Sequence, residues 1–283
     1  MKPHLIAAVL LAGVLSTHAG IIESASIRSQ SMKMRGPVIL VYPSAYARSR
    51  LDYSVIYLLH GYSGNCAAWP KIVPLSNWAD TFQVVFVCLD GNYNSWYLDS
   101  PVKKGSSYET FIITEAVPWV DRVIRTNASA QGRAIAGTSM GGHGALTLIA
   151  RHPDLFIAAG SISGIMDLTQ FPDEWEIDRL LGPLETNRDR WQKASFVSMV
   201  PLLAGKNRSM VLFAGLQDFA LNGNRGAHQI LQSYGISHEY HEYPGDHSWR
   251  FVQAHAREMI VFLASKLAPP KPEEGKKAVI GNR

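Results

Sequence analysis

An α/β fold is predicted, with a mainly parallel central sheet of about eight strands and helices on both faces. Three observations predict it. Several strand-length runs are almost wholly apolar, among them Ser54–His60 (SVIYLLH), Val84–Leu89 (VVFVCL) and Ser209–Ala214 (SMVLFA). A run without polar alternation marks a strand buried on both faces. These runs alternate with segments of helical apolar spacing, the pattern of parallel strands joined by crossover helices. In mid-chain, Arg133–Arg151 reads as strand, tight glycine turn and helix in direct succession.

Taken in order, residues 21–33 alternate loosely, as in an exposed strand, and Val38–Tyr42 is a second strand. Ser54–His60 ends at Gly61 and a loop containing Ser63, Gly64 and Asn65. Val84–Leu89 is stopped by Asp90-Gly91, and an aromatic-rich irregular loop runs to Tyr97. Tyr108–Arg125 has helical spacing in Phe111, Ile112, Ala116, Val120 and Ile124, with Pro118 expected to break or kink it. Arg133–Gly137 is a strand, Gly141–Arg151 a helix and Phe156–Ser161 a further strand. Residues 163–206 carry Trp175, Trp191, three prolines and many charges, and read as a cap-like insertion. After Ser209–Ala214 come a helix at Gly223–Tyr234, a strand at His238–Tyr243 and an amphipathic helix at Ser248–Leu267. The Pro-, Lys- and Glu-rich tail from Ala268 is expected to be disordered. One domain, residues 20–267, accounts for the chain between its two ends.

The net charge is +4, but no run of five basic residues occurs, so nucleic acid is not an expected partner. Lys2 and His4 precede an apolar stretch, Leu5–Leu15, that is too short to span a bilayer. With small residues at Thr17 and Ala19, residues 1–19 read as a signal peptide cleaved after Ala19. A secreted or periplasmic protein without stable membrane insertion is therefore expected. Cys66 and Cys88 are the two cysteines; a bridge between them is left open, beside the plainer reading of Cys88 as a buried thiol.

The turn Gly137-Thr138-Ser139-Met140-Gly141 is a G-x-S-x-G. Any Cβ at either glycine would crowd strand against helix, and the turn leaves the serine hydroxyl at a helix N-terminus. A serine hydroxyl needs a base within hydrogen-bond reach and a third group to hold that base. Asp218, just past one late strand, is the expected acid. His247, in Pro244-Gly245-Asp246-His247 past the next, is the expected base. Asp246 is a rival acid, but it adjoins His247 and is poorly placed to reach the far ring nitrogen. His143, four residues after Ser139, is read as a packing or hydrogen-bonding residue. His238 and His241 do not have zinc spacing, and no metal or cofactor is called for. Two N–H donors are needed for a developing oxyanion, and those of Tyr62 and Met140 are expected to supply them.

The segments YLLHGYSGN with Trp69, LDGNYNSWY, GTSMGGHGAL, Asp218 and GDHSW together resemble the esterase D-like branch of the α/β-hydrolases. That branch includes tributyrin esterases, S-formylglutathione hydrolases, many feruloyl and acetyl-xylan esterases, and the mycolyltransferases. The resemblance runs from about Val38 to Leu267. It implies an α/β-hydrolase fold and a metal-free serine esterase with Ser139 as nucleophile, Asp218 as acid, His247 as base, and Tyr62 and Met140 as oxyanion donors. Short acyl esters or carbohydrate-linked acetyl or feruloyl esters are the expected substrates. Acyl transfer, formylglutathione-type thioester hydrolysis and a catalytically silent binding module are the alternatives. Trp69, Trp96, Tyr97 and Trp249 are expected to line an aromatic substrate mouth, unless they are ordinary core and rim aromatics. Nothing in the sequence speaks to oligomeric state.

Overall fold

The computed structural model describes residues 20–273; the expected signal peptide and the end of the expected tail lie outside them. The strands are β1 (Ile21–Ser29), β2 (Met34–Tyr42), β3 (Leu51–Asp52), β4 (Ser54–Leu59), β5 (Val84–Leu89), β6 (Arg133–Thr138), β7 (Ala158–Ile162), β8 (Ser209–Gly215), β9 (His238–Tyr243) and β10 (Lys271–Pro272). Eight of them form one sheet in the order β1-β2-β5-β4-β6-β7-β8-β9. Within it β2 pairs antiparallel with both β1 and β5, and every other pairing is parallel.

The unbroken apolar runs have the cause expected of them. In β4, Val55, Tyr57 and Leu59 enter the core on one face, while Ile56 and Leu58 enter the core on the other. The same split divides β5, with Val85, Val87 and Leu89 on one side and Val84, Phe86 and Cys88 on the opposite one. Side chains alternate across a strand, so a strand covered twice has no position left for a polar residue.

The helices are α1 (Ala68–Ile72), α2 (Leu75–Phe82), α3 (Tyr108–Thr110), α4 (Val117–Val123), α5 (Met140–Arg151), α6 (Asp178–Leu181), α7 (Leu184–Ala194), α8 (Leu221–Ser233) and α9 (Trp249–Lys266). Helices α2 and α9 cover one face of the sheet with Leu75, Trp78, Phe251, Met259, Ile260 and Leu263. Against the other face lie α5, α4 and residues 163–206, including Leu148, Val120, Leu180, Trp191 and Phe196.

Three features differ from the sequence reading. Residues 66–83, given no element there, hold α1 and α2; Leu75, Trp78 and Ala79 make a single buried turn-to-turn face on α2. Of the break or kink expected at Pro118, no break occurs: a π-helical stretch, Phe111–Ala116, runs into α4. Widening the turn accommodates the ring and the missing N–H without ending the helix. Residues 268–273, expected within a disordered tail, are tied down. The Ala268 N–H donates to the Gln131 carbonyl at 2.9 Å, and Lys271–Pro272 pair with Asp52 and Leu51 of β3.

The segment 163–206 packs as part of the main core. Trp191 is fully buried and its indole N–H donates to the Gly182 carbonyl at 2.8 Å. Removing it leaves a cavity and an unsatisfied carbonyl. Trp191→Ala is expected to destabilise the fold by about 3–5 kcal/mol, read as a lowered urea midpoint; a loss under about 1 kcal/mol would show that the segment docks only loosely.

Candidate active site

A one-residue turn joins β6 to α5. Ser139 sits there at φ 55°, ψ −120°, outside the helical and extended regions. A Cβ on Gly137 would strike the backbone of Gly141, and one on Gly141 would strike the carbonyls of Leu59 and His60. Only glycine lets β4, β6 and α5 approach this closely. The strained serine is held from both sides: its N–H donates to the Ile162 carbonyl of β7 at 3.0 Å, and its carbonyl accepts from His143 N–H at 3.0 Å. Helix α5 has no acidic residue in its first turn, so its N-terminal N–H groups offer an unopposed partial positive charge beside the hydroxyl.

Two further loops meet at this turn. After β8, Gly215-Leu216-Gln217 carries Asp218; after β9, Pro244-Gly245-Asp246 carries His247. A reciprocal pair of bonds fastens the loops together: Gln217 N–H to the Gly245 carbonyl at 2.9 Å, and Gly245 N–H to Gln217 Oε1 at 2.8 Å. Ser248 then caps α9, its hydroxyl oxygen accepting from Phe251 N–H at 3.4 Å.

The result is a continuous line of hydrogen bonds. His247 Nε2 lies 2.9 Å from Ser139 Oγ, and His247 Nδ1 lies 2.9 Å from Asp218 Oδ1. Asp218 Oδ1 also accepts from Ala220 N–H at 2.8 Å. Both ring nitrogens are occupied, which leaves no position for the rival Asp246. Burial by itself pushes the Asp218 carboxyl up. The bond and charge of His247, the Ser163 hydroxyl and the Ala220 N–H outweigh it and hold the carboxyl below its ordinary value.

Ser139 and His247 open into a cleft of about 400 Å³. Tyr62 lines it, and Gly61 lies against Ser139, so close that a Cβ there would be 3.3 Å from the serine Cβ. The side chain of Met140 is fully buried, leaving its backbone as the part of that residue at the turn. His60 fixes the Tyr62 loop: its Nε2 accepts from Gly91 N–H at 2.8 Å, so Nδ1 carries the proton and donates to the Gly61 carbonyl at 2.8 Å. Burial keeps this imidazole neutral by lowering its pKa.

The expected aromatic mouth is corrected. Trp69, Trp96 and Tyr97 are each 1% exposed and lie in the core. Trp69 donates its indole N–H to the Leu59 carbonyl at 2.9 Å, and Tyr97 donates its hydroxyl to the His60 carbonyl at 3.0 Å. They brace the end of β4 from behind. Trp96 packs edge-on against His143 and tilted against Trp175. Of the four, Trp249 alone lines the cleft, joined by Trp175 and Phe219, which the sequence reading did not single out. Phe219 stacks on His247 with ring centroids 4.2 Å apart. Its place directly after Asp218 was a usable signal; Trp175, in an aperiodic stretch, gave none.

Cys66 and Cys88 are both free thiols. His143 is buried, with Nε2 2.9 Å from the Ala194 carbonyl, and joins α5 to α7 as a structural group.

These features define an α/β-hydrolase, and comparison with known proteins narrows the class. The family described as putative esterase matches residues 29–262, and the chain belongs to it. It is 29% identical over 241 residues to Esterase Rv1288 of Mycobacterium tuberculosis, covering 75% of this chain and 52% of that protein. To an acetyl esterase of Caldicellulosiruptor saccharolyticus it is 28% identical over 216 residues, covering 71% and 79%. The chain thus spans about half the length of the mycobacterial esterase it matches. Among solved structures, a ferulic acid esterase superposes with a TM-score of 0.78 at 23% identity, covering 88% of this chain and 99% of that one. An S-formylglutathione hydrolase from Agrobacterium tumefaciens gives 0.76 at 19%, covering 88% and 96%. No helix among the described residues is long and apolar enough to cross a membrane.

His143 sets an acid limit on stability. Burial, reinforced by the Arg151 charge, lowers its pKa from 6.5 to about 4 against the opposing bond to Ala194. The unfolded chain therefore binds the extra proton first, and stability present above pH 6.5 falls as the pH drops toward 4. The expected loss from this residue is about 2 kcal/mol between pH 7 and pH 5. Urea melts at the two pH values read it; His143→Gln should flatten the difference, and an unchanged difference would assign it elsewhere.

Proposed function

We propose that the chain is a serine carboxylic-ester hydrolase acting through an acyl-enzyme on short-chain acyl or carbohydrate-linked acetyl or feruloyl esters. The observation that carries the proposal is the unbroken Asp218–His247–Ser139 line opening into a cleft. Ser139 Oγ attacks the ester carbonyl as His247 Nε2 takes its proton. The tetrahedral oxygen meets the N–H groups of Tyr62 and Met140, each worth about 3 kcal/mol in such a site. His247 returns the proton to the departing alcohol, then activates water to release the acyl group. Asp218 holds the Nδ1–H tautomer and stabilises the imidazolium.

The cleft favours an uncharged substrate. Apart from His247, no Lys, Arg, Asp or Glu is among its lining residues, and Trp175, Phe219 and Trp249 are. A glutathione leaving group brings two carboxylates that nothing there receives, which weighs against a formylglutathione-type role. Exposed aromatic faces suit sugar rings and phenolic acyl groups. Likeness to a Mycolicibacterium smegmatis protein named diacylglycerol acyltransferase/mycolyltransferase Ag85B, 28% identical over 138 residues and covering 44% of this chain and 42% of that protein, keeps acyl transfer as the second reading. Adding trehalose or a simple alcohol during turnover separates the readings by the ratio of transfer to hydrolysis. The domain is taken as residues 20–267 with 163–206 as an insertion contributing Trp175 to the cleft, and residues 1–19 as a cleaved export signal.

Ser139→Ala is expected to cut p-nitrophenyl acetate turnover by about 10⁴-fold or more while leaving the circular dichroism spectrum intact; undiminished turnover would falsify the nucleophile assignment. N-terminal sequencing of exported protein should begin at Gly20; an intact Met1 in that fraction would remove the cleaved signal from the account.

A further inference from the structure

Asp218 is only half served by the bonds described above. Its side chain is fully buried, yet His247 Nδ1 and Ala220 N–H both go to Oδ1. Its other oxygen, Oδ2, is buried and has no partner among the described residues. The hydroxyl oxygen of Ser163 is likewise buried and unpartnered. A buried acceptor and a buried donor left unsatisfied are each unfavourable.

Ser163 follows β7 directly and lines the cleft. Its backbone is anchored, the N–H donating to the Phe213 carbonyl of β8 at 2.8 Å, which ties it to the strand that precedes the Asp218 loop. It also has φ 53°, a left-handed conformation that glycine adopts freely and serine does not. A serine kept where glycine fits better points to a use for its hydroxyl.

We infer that Ser163 is a positioning residue for the acid, donating Oγ–H to Asp218 Oδ2 and so fixing the carboxylate plane that presents Oδ1 to His247. The inference rests on the reading of Asp218 as the acid of a serine esterase. Ser163 is among the groups that act to hold the Asp218 carboxyl below its ordinary value. The polar groups facing Asp218 are His247 from the β9–α9 loop, Ser163 from the end of β7 and Ala220 on its own loop; Ser139 is reached through His247.

Ser163→Gly is the decisive variant, because glycine accepts the backbone conformation and removes only the hydroxymethyl group. The melting temperature should change little, relief of the backbone strain offsetting the lost hydrogen bond. Expected are a fall of about tenfold in kcat on p-nitrophenyl acetate with KM little changed. The pH profile of kcat/KM should change as well, since a carboxylate stripped of a donor presents more of its charge to the His247 ring. In an Asp218→Asn background the same change should have no further effect. Independently of turnover, the downfield Nδ1–H resonance of His247 should shift or broaden in Ser163→Gly. A folded variant with wild-type kcat, pH profile and His247 resonance overturns the inference while leaving the esterase reading intact. A rise in KM alone also overturns it, making Ser163 a substrate contact. A wild-type protein that turns over no ester sinks the esterase reading instead, and the His247 resonance still decides whether Ser163 orders the pair.

Discussion

The close approach of three backbones at the Ser139 turn is the constraint on which the site depends. Gly137 and Gly141 let the turn press against the carbonyls that end β4, and any side chain there would force the elements apart. Two consequences follow from the one contact. The serine is lifted into a strained conformation at the start of α5, and the loop after β4 is brought beside it with Gly61 against its Cβ. The proposed nucleophile and the loop that carries one proposed oxyanion donor are thereby brought together by the same piece of packing. Strain of this kind persists only where surrounding structure over-determines it. Here the bonds from Ser139 to Ile162 and His143 do so.

Behind the turn, residues with chemically suggestive side chains are spent on rigidity. His60, Trp69 and Tyr97 all bond to backbone groups at the end of β4 or the loop after it. Preorganised N–H donors stabilise charge in proportion to how little they must move during the reaction. A buried neutral histidine and two buried aromatic donors are suited to that purpose. On the open side, the Gln217–Gly245 bonds play the corresponding part for the loops that carry Asp218 and His247.

Much of this was legible from residue order alone, for definite reasons. Strands covered on both faces leave an unbroken apolar signature, so β4, β5 and β8 were placed within a residue or so of their observed ends. The G-x-S-x-G turn carries its geometry in its glycines, and the loops after late strands point to Asp218 and His247, the residues that line up with Ser139. What failed was any inference from side-chain type to exposure. Trp96 and Tyr97 sit in an irregular loop and Trp69 in a single short helical turn, where no periodicity separates a core aromatic from a rim one, while Trp175 reaches the cleft through packing of an aperiodic insertion. The π-helical passage over Pro118 and the pairing of Lys271–Pro272 with β3 depend on contacts distant in sequence, which local patterning does not encode.

The central claim is that Ser139, made nucleophilic by His247, is the residue that becomes acylated. Labelling the protein with a fluorophosphonate and mapping the modified peptide by mass spectrometry tests it most directly. The account predicts one adduct per chain, on Ser139, and its loss when His247 is replaced by alanine. An adduct on another serine, or none on the folded protein, would contradict it.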